Sequence, residues 1–231
     1  MAGAGVVLVG ASLTACHPTT VAQGPTGQRS VPAQDAVSGS AAKALASLQL
    51  RGKGTMSGYT RTAFGPAWSD DTSDPDGHNS CDTRDDILAR DLIQVTYRSG
   101  HCTVATGTLH DPYTGKEIHF VRGPKSAAVE IDHVVPLADA WVDGAAQMTT
   151  VQRMDLAEDP LELLAVDGPT NEAKGDSDAS QWLPPVTGYD CPYVARQIAV
   201  KSKYHLWITA AEKTAMQKVL TACPNQKLPT E

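Results

Sequence analysis

The sequence has 231 residues, of which 41% are hydrophobic and 19% charged, a balance typical of a globular protein rather than a disordered or fibrous chain. The formal net charge of −7 excludes a generally basic surface, so a nucleic-acid ligand would need a local basic patch. There is no run of about 20 apolar residues, and a membrane-spanning helix is therefore not expected.

The first 15 residues form a short apolar segment that ends in small residues before Cys16. It is too short to span a bilayer and is typical of an export leader. The ending "LTAC" resembles the bacterial lipobox, which implies cleavage before Cys16 and lipid attachment to its sulfur; a simple secretory leader is the alternative. The basic residues that usually open such a leader are missing, since the first is Arg29, and a start upstream of Met1 would explain this.

Residues 16–42 are rich in Pro, Gly, Ser, Thr and Gln and contain almost no large apolar side chains. Such a segment cannot bury enough surface to offset the entropy of ordering it. The composition predicts a flexible tether between a membrane anchor and a folded domain that covers residues 43–231.

Within that domain, apolar spacing and turn residues predict an α+β fold with a small antiparallel sheet and several helices. Thr83 with Asp86, and Thr209 with Glu212, have the spacing of a capping box at a helix start. Helices are predicted over 41–50, 83–92 and 137–158, near Thr170 and through the C-terminal third, and strands over 93–98, 102–109, 117–122, 127–132 and 161–166.

Five cysteines are present, and without Cys16 four remain: Cys81, Cys102, Cys191 and Cys223. The absence of a C-x-x-C pair argues against a zinc ribbon, and four cysteines allow three pairings. Because short loops cost less entropy to close, we expect Cys81–Cys102 and Cys191–Cys223. Four reduced thiols in a cytosolic protein are the alternative, and disulfides would agree with export.

The stretch "VEIDHVVPLADAW" (129–141) carries the most informative residues. Alternate side chains of a strand share one face, so Glu130 and Asp132 point the same way, and His133 points elsewhere unless the chain turns. The next predicted strand leads into "DGPTN", which opens a helix, and this order can bring Asp132, His133 and Asn171 around one point. Taken alone, Asp132-His133 is also compatible with a strand end that satisfies local hydrogen bonds.

The segments "IDHVVPL" and "DPLELLAVDGPTNEAKGD" resemble the HNH endonuclease motif of the ββα-metal fold. Residues 59–223 are similar to secreted bacterial HNH proteins related to the GmrSD C-terminal domain. The resemblance implies that His133 is the general base for an attacking water and that Asp132 and Asn171 are metal ligands. Both ligands are oxygen donors, which suits one Mg²⁺ or Mn²⁺ ion rather than zinc.

Position 162 departs from the family pattern, because Glu162 stands where the family usually has Asn. An ionised Glu accepts hydrogen bonds but donates none, so it cannot replace an amide that pins a neighbouring carbonyl. One interpretation gives Glu162 a catalytic role, accepting a hydrogen bond from the far nitrogen of His133 and fixing its tautomer. The other is a weakened enzyme.

Several cations are candidates for contact with substrate phosphates: Lys174, one helical turn after Asn171, and Arg84 and Arg90 on the helix after Cys81. Solvated helix faces or salt bridges to nearby Asp residues are the equal alternative. Lys201 and Lys203 favour that structural alternative more strongly. Trp182 could stack on a base but is more typical of a core position.

These patterns predict a metal-dependent HNH endonuclease that is exported, as a cell-surface lipoprotein or a secreted protein, and hydrolyses nucleic acid, DNA in preference to RNA. A membrane would be contacted only through the N-terminal lipid. The alternative is a surface lipoprotein that keeps the fold and binds nucleic acid or a cell-wall polymer without cutting it. A serine or zinc protease has little support, because neither G-x-S-x-G nor H-E-x-x-H is present.

Overall fold

A computed structural model of the chain describes Gly3, Gly5 and residues 40–98 and 100–229. Apart from those two glycines, the predicted leader lies outside the described residues, as do Cys16 and most of the tether. Helices and small antiparallel sheets make up the described part, which confirms the α+β class. The helices are α1 Ala41–Ser47, α2 Thr83–Asp91, α3 Leu137–Val142, α4 Thr150–Glu158, α5 Gly168–Lys174, α6 Asp190–Lys203 and α7 Ala210–Thr221. The strands are β1 Leu92–Tyr97, β2 Val104–His110, β3 Glu117–Val121, β4 Val129–His133 and β5 Leu163–Asp167.

The strands form two separate antiparallel sheets, one of three strands in the order β1-β2-β3 and one made of β4 and β5. In the second sheet Val129 pairs with Asp167 and His133 with Leu163. The predicted turn over "DPYTGK" joins β2 to β3, where the Asp111 side chain accepts hydrogen bonds from the backbone and the hydroxyl of Thr114. Such a carboxylate turn stops the hairpin at a fixed register.

Two hydrophobic clusters lie on either side of the small sheet. The first packs α1, α3, α4, α6 and α7 around side chains such as Leu45, Tyr193 and Ile198. The second packs α2 against the three-stranded sheet, and Ile131 and Leu163 of the small sheet belong to it. The small sheet is therefore covered on both faces, so polar groups placed on it lose most of their contact with water.

Glycine is required at the start of α5, where the helix comes close to the segment before β4. A β-carbon on Gly168 would lie 1.9 Å from the carbonyl oxygen of Ala127, closer than any real contact. Asp167 caps the helix by accepting from the backbone of Thr170, and Gly175 ends it at φ 52°. These local features press α5 onto β4 and complete a strand-strand-helix unit.

The predicted helix starts are confirmed in one case and corrected in another. Thr209 caps α7 by accepting from the Glu212 backbone, as its spacing predicts. At α2 the cap is Asp82, not Thr83, because the carboxylate of Asp82 accepts from the Asp85 backbone while the Thr83 hydroxyl donates to the carbonyl of Ser69. Either oxygen can cap a helix, and the tertiary bond to Ser69 decides between them.

Helix α1 opens the continuous part of the chain that the structure describes. Ser40 caps α1, which starts at Ala41 and donates its backbone N–H to the carbonyl of Gln226. This hydrogen bond ties the start of α1 to the C-terminal segment.

None of the helices in the described residues combines the length and the apolar composition needed to cross a bilayer. Their apolar faces are instead used for packing in the two clusters. The longest of them, α6, has 14 residues and carries an ionisable Lys201 in its buried stripe.

Both expected disulfides are formed. Cys81–Cys102 ties the start of α2 to the loop between β1 and β2, and Cys191–Cys223 ties the start of α6 to the end of α7. The pairing agrees with the expectation from loop length and is typical of an exported protein.

Removing the longer cross-link should destabilise the fold. A Cys191→Ala/Cys223→Ala double variant is expected to lose about 3–4 kcal/mol in the free energy of unfolding, because the bridge closes a loop with a sequence separation of 32 residues. Urea unfolding of the variant against the parent protein measures this. Equal stability of the two proteins would contradict the expectation.

Candidate active site

His133 ends β4 with its ring on the side of the strand away from α5. Its Nε2 lies 3.0 Å from the carbonyl oxygen of Ala157, and its ring is stacked on Trp68 with the centroids 6.1 Å apart. Because a carbonyl only accepts, Nε2 carries the proton and Nδ1 is left as the acceptor of the ring. This is the tautomer that a histidine base needs, with one nitrogen anchored and the other free to take a proton.

Burial keeps the His133 ring neutral. Only 9% of the residue is exposed, and desolvation, reinforced by the charges of Arg61 and Lys174, lowers the pKa of His133 to about 3. A neutral ring can accept a proton from water, and an anionic phosphate beside it would raise its pKa toward the working range of a base.

The Asp132 side chain points to the opposite side of the strand, into a buried network of hydrogen bonds. Its Oδ1 accepts from the ammonium of Lys174 at 2.7 Å and its Oδ2 from the hydroxyl of Tyr113 at 2.5 Å. The same ammonium donates to the backbone carbonyl of His133 at 2.8 Å. Burial raises the pKa of Asp132, whereas Lys174 and Tyr113 act to lower it.

Asn171 and Glu130 form a second pair on the same face. The amide nitrogen of Asn171 donates to Oε2 of Glu130 at 3.0 Å, and both side chains are half-buried. Asn171 and Lys174, three residues apart, share one face of α5, and Glu130 and Asp132, two residues apart, share one face of β4. These two faces lie against each other.

The predicted site residues are therefore only partly brought together. Asp132 and Asn171 lie on the face of β4 that α5 covers, and His133 lies on the other, next to Trp68. No hydrogen bond joins any two of these three side chains within the part of the chain that the structure describes. Lys174 links them indirectly, because it binds the Asp132 side chain and the His133 backbone.

The contact expected between Glu162 and the His133 ring is absent, because each group has another partner. Glu162 is fully buried and both of its oxygens accept from the backbone N–H of Val135 at 3.2 Å. Burial raises the pKa of Glu162 well above its ordinary value. Its carboxyl group thus fixes the turn after His133, while the ring is oriented by Ala157.

The oxygen donors between β4 and α5 suit a hard divalent ion, as the resemblance implies. Glu130, Asp132 and Asn171 offer carboxylate and amide oxygens, the donor types that Mg²⁺ and Mn²⁺ prefer. The ammonium of Lys174 already neutralises Asp132, so an ion ligated by that carboxylate would have to displace it. The donor types suit the ion, and the ammonium of Lys174 competes with it for the carboxylate of Asp132.

A second acidic group that could hold a metal lies between α3 and α7, where the carboxylates of Asp139, Asp143 and Glu212 converge. The fully buried ammonium of Lys201 occupies its centre, 2.6 Å from Asp143 and 2.7 Å from Glu212. Lysine there replaces a metal as the neutralising charge, which is the structural interpretation of Lys201.

The cations predicted for phosphate contact have mostly structural partners. Arg90 binds Asp91 and the carbonyls of Pro160 and Leu163, and Lys174 is 1% exposed in its pair with Asp132. Arg84 is half-buried, with its guanidinium over the Phe120 ring and 3.5 Å from a backbone carbonyl.

Of the remaining candidates, Trp182 and Lys203 also have the structural role. Trp182 packs edge-on against Tyr113 and Tyr193, and Lys203 pairs with Asp159 at 2.8 Å.

Sequence reasoning missed four residues that surround the site: Arg61, Trp68, Tyr113 and Glu158. Glu158 accepts the Trp68 backbone N–H at 2.9 Å and is buried, and burial raises its pKa to about 7. Arg61, Trp68 and Tyr113 come from segments far away in sequence, so no local pattern identifies them. From the sequence, strand alternation predicts only that Glu130 and Asp132 share a face.

A two-stranded antiparallel sheet followed by a helix, with Asp-His at the end of the first strand, is the arrangement of a nuclease-type HNH domain. Comparison with known families agrees: residues 82–219 match the family of GmrSD restriction endonucleases, C-terminal domain. The chain belongs to this family, since the match spans more than half of it. A protein from Arthroderma benhamiae described as an "Uncharacterized secreted protein" is 39% identical over 181 residues, or 78% of this chain and 82% of the relative. No solved structure matches.

The depressed basicity of His133 is directly measurable. We expect its ring resonances to show no protonation step between pH 8 and pH 5, whereas a histidine in a peptide has its midpoint near about 6.5. NMR titration, with His133→Ala to assign the signals, tests this. A midpoint near that of the peptide would show that the ring is solvated rather than buried.

Lys174→Met should destabilise the protein, because it leaves the Asp132 carboxyl group buried without its counter-charge. Removing one partner of such a pair costs roughly 3–5 kcal/mol, to be measured by urea unfolding with the exposed Lys218→Met as the matched control. Asp132→Asn combined with Lys174→Met should recover part of the loss. A loss no larger than that of the control would show that the pair does not stabilise the fold.

Proposed function

We propose that the protein is an HNH endonuclease that hydrolyses phosphodiester bonds of nucleic acid, DNA in preference to RNA, outside the cytoplasm. The observation that carries the proposal is the neutral His133 ring, anchored through Nε2 to Ala157 and lining an open cavity beside it. Membership of the family of the GmrSD restriction endonuclease C-terminal domain supports the reaction class.

In the proposed reaction, water attacks the phosphorus and gives a proton to Nδ1 of His133, and the phosphodiester bond to the leaving oxygen breaks. Ala157 keeps the ring in the required tautomer throughout. Arg61, whose charge acts on the ring, lies where it can attract the anionic substrate. A divalent ion, Mg²⁺ or Mn²⁺, held by Asn171 with Asp132 and Glu130, would supply positive charge for the phosphate and the leaving oxygen.

Location outside the cytoplasm is supported by two disulfides and by the description of the Arthroderma benhamiae relative as secreted. Anchoring through a lipid on Cys16 belongs to the proposal as well, with residues 16–42 as the tether to the folded domain. Mass spectrometry of the mature protein tests the lipid.

A second candidate function is supported by one feature of the site. Lys174 puts an ammonium against Asp132, where the resemblance expects a metal ligand. A domain that kept this closed arrangement would bind nucleic acid or another anionic polymer without cutting it.

Plasmid nicking with Mg²⁺, Mn²⁺ or EDTA separates the two functions. We expect cleavage that the chelator stops and that His133→Ala reduces by about 10²–10⁴-fold, the usual contribution of a general base. His110→Ala, an exposed histidine on β2, is the matched control and should leave the rate unchanged.

Cleavage that survives both the chelator and His133→Ala would overturn the proposed mechanism. Retarded DNA migration without cleavage, equal in wild type and His133→Ala, would favour the binding function. Parallel assays on single-stranded DNA and on RNA decide the preferred substrate.

A further inference from the structure

Two histidines and a glutamate stand together on the outer face of the three-stranded sheet, and all three are exposed. His110 ends β2 and pairs directly with Glu117, the first residue of β3. His119 follows two residues after Glu117, so it lies on the same face of β3. Two residues on one strand and a third on its antiparallel neighbour can direct their side chains to a common point. None of the three takes part in the proposed nuclease reaction.

The distances show that both histidine rings face the carboxylate. Nδ1 of His110 lies 3.9 Å from Oε2 of Glu117, and Nε2 of His119 lies 3.9 Å from Oε1. Each ring therefore has its own oxygen of one carboxylate group. The donor atoms around a four-coordinate Zn²⁺ ion lie about 3.3 Å apart, because its bonds are about 2.0–2.1 Å long. The spacing from each ring to the carboxylate is slightly wider than this, and exposed side chains are free to move inward onto an ion.

A second contact orients the His119 ring. Its Nδ1 lies 3.0 Å from the hydroxyl of Thr108, the residue opposite it on β2. Thr108 is itself buried, so its surroundings fix this partner in place. When Nδ1 donates its proton to the hydroxyl, Nε2 keeps its lone pair on the side of Glu117. Histidines that bind metals are oriented in this way, by a partner on the far nitrogen of the ring.

The backbone that carries the three residues is also fixed. The Asp111 N–H donates to the carbonyl of Lys116 at 2.8 Å, and the Gly115 N–H donates to the carbonyl of Asp111 at 2.9 Å. These bonds close the turn between β2 and β3 and keep His110 opposite Glu117. A backbone that is already ordered lowers the entropy cost of binding an ion.

We propose that His110, Glu117 and His119 form a surface site for one Zn²⁺ ion, with Thr108 as the positioning residue of His119. Two imidazole nitrogens and one carboxylate oxygen are a set that zinc accepts together with a water. Mg²⁺ prefers oxygen ligands, so this site differs in chemistry from the oxygen donors between β4 and α5. The bound ion cross-links β2 to β3 beside their turn.

Calorimetric titration of the metal-free protein with ZnCl₂ tests the site. We expect one Zn²⁺ per chain, which a large excess of MgCl₂ does not displace. Thr108→Val should weaken binding about tenfold, and His119→Ala at least about 100-fold, since loss of an outer partner costs about 10–100-fold and loss of a ligand costs more. In the His119→Ala background Thr108→Val should have no further effect, because the hydroxyl acts only through that ring.

His78→Ala is the matched control. His78 is an exposed histidine that lies 3.8 Å from the carboxylate of Asp71, away from the three proposed ligands in sequence, and its loss should leave Zn²⁺ binding unchanged. Zn²⁺ should also raise the midpoint of thermal unfolding of the wild-type protein but not that of His119→Ala, because a ligand stabilises the state that binds it.

Failure of wild type to bind Zn²⁺, or equal binding by wild type and His119→Ala, would overturn the site. Binding that is kept in His119→Ala and lost in His133→Ala would place the ion at the candidate active site and would overturn it as well. Plasmid nicking is measured without Zn²⁺, so His110→Ala remains a control there and the two proposals succeed or fail separately.

Discussion

The ammonium of Lys174, buried between the carboxylate of Asp132 and the carbonyl of His133, fixes the geometry of the whole site. A charge this deep is tolerated only when it is paired and hydrogen-bonded, so the strand end and the helix that carry these groups cannot separate without a large loss. Tyr113 extends the constraint to the β2–β3 turn. The close approach that the pairing needs is possible because Gly168 has no side chain to strike the neighbouring backbone.

The side chains of β4 alternate between two faces with different surroundings. On one, Glu130 of β4 and Asn171 of α5 place half-buried oxygens between strand and helix, where a divalent ion is proposed. On the other, His133 is desolvated against Trp68 and lines an open cavity. The strand therefore separates His133, the proposed general base, from the proposed ion site. A substrate would have to reach both around the end of β4.

Several cations in the described part of this acidic protein are bound to internal partners. Lys201 neutralises three carboxylates, Arg122 pairs with Asp85, and Arg90 holds the backbone before β5. What remains near the cavity is mainly Arg61, so attraction of a polyanion depends on a local charge rather than on the field of the molecule. Because the salt dependence of affinity scales with the number of phosphates that cations neutralise, affinity that rests mainly on Arg61 should fall only modestly with salt.

The sequence by itself determined the fold class, both disulfides, the strand-strand-helix core and the pairing of Asp-His with a downstream helix, because each is written in local periodicity, short loop closure or a recognisable motif. It could not determine that Lys174 and Asp132 neutralise each other, that Glu162 serves a backbone turn, or that Trp68 and Glu158 enclose His133. Those outcomes depend on which distant side chains meet in a desolvated interior, and there the cost of an unpaired charge, absent in an isolated segment, selects the partners.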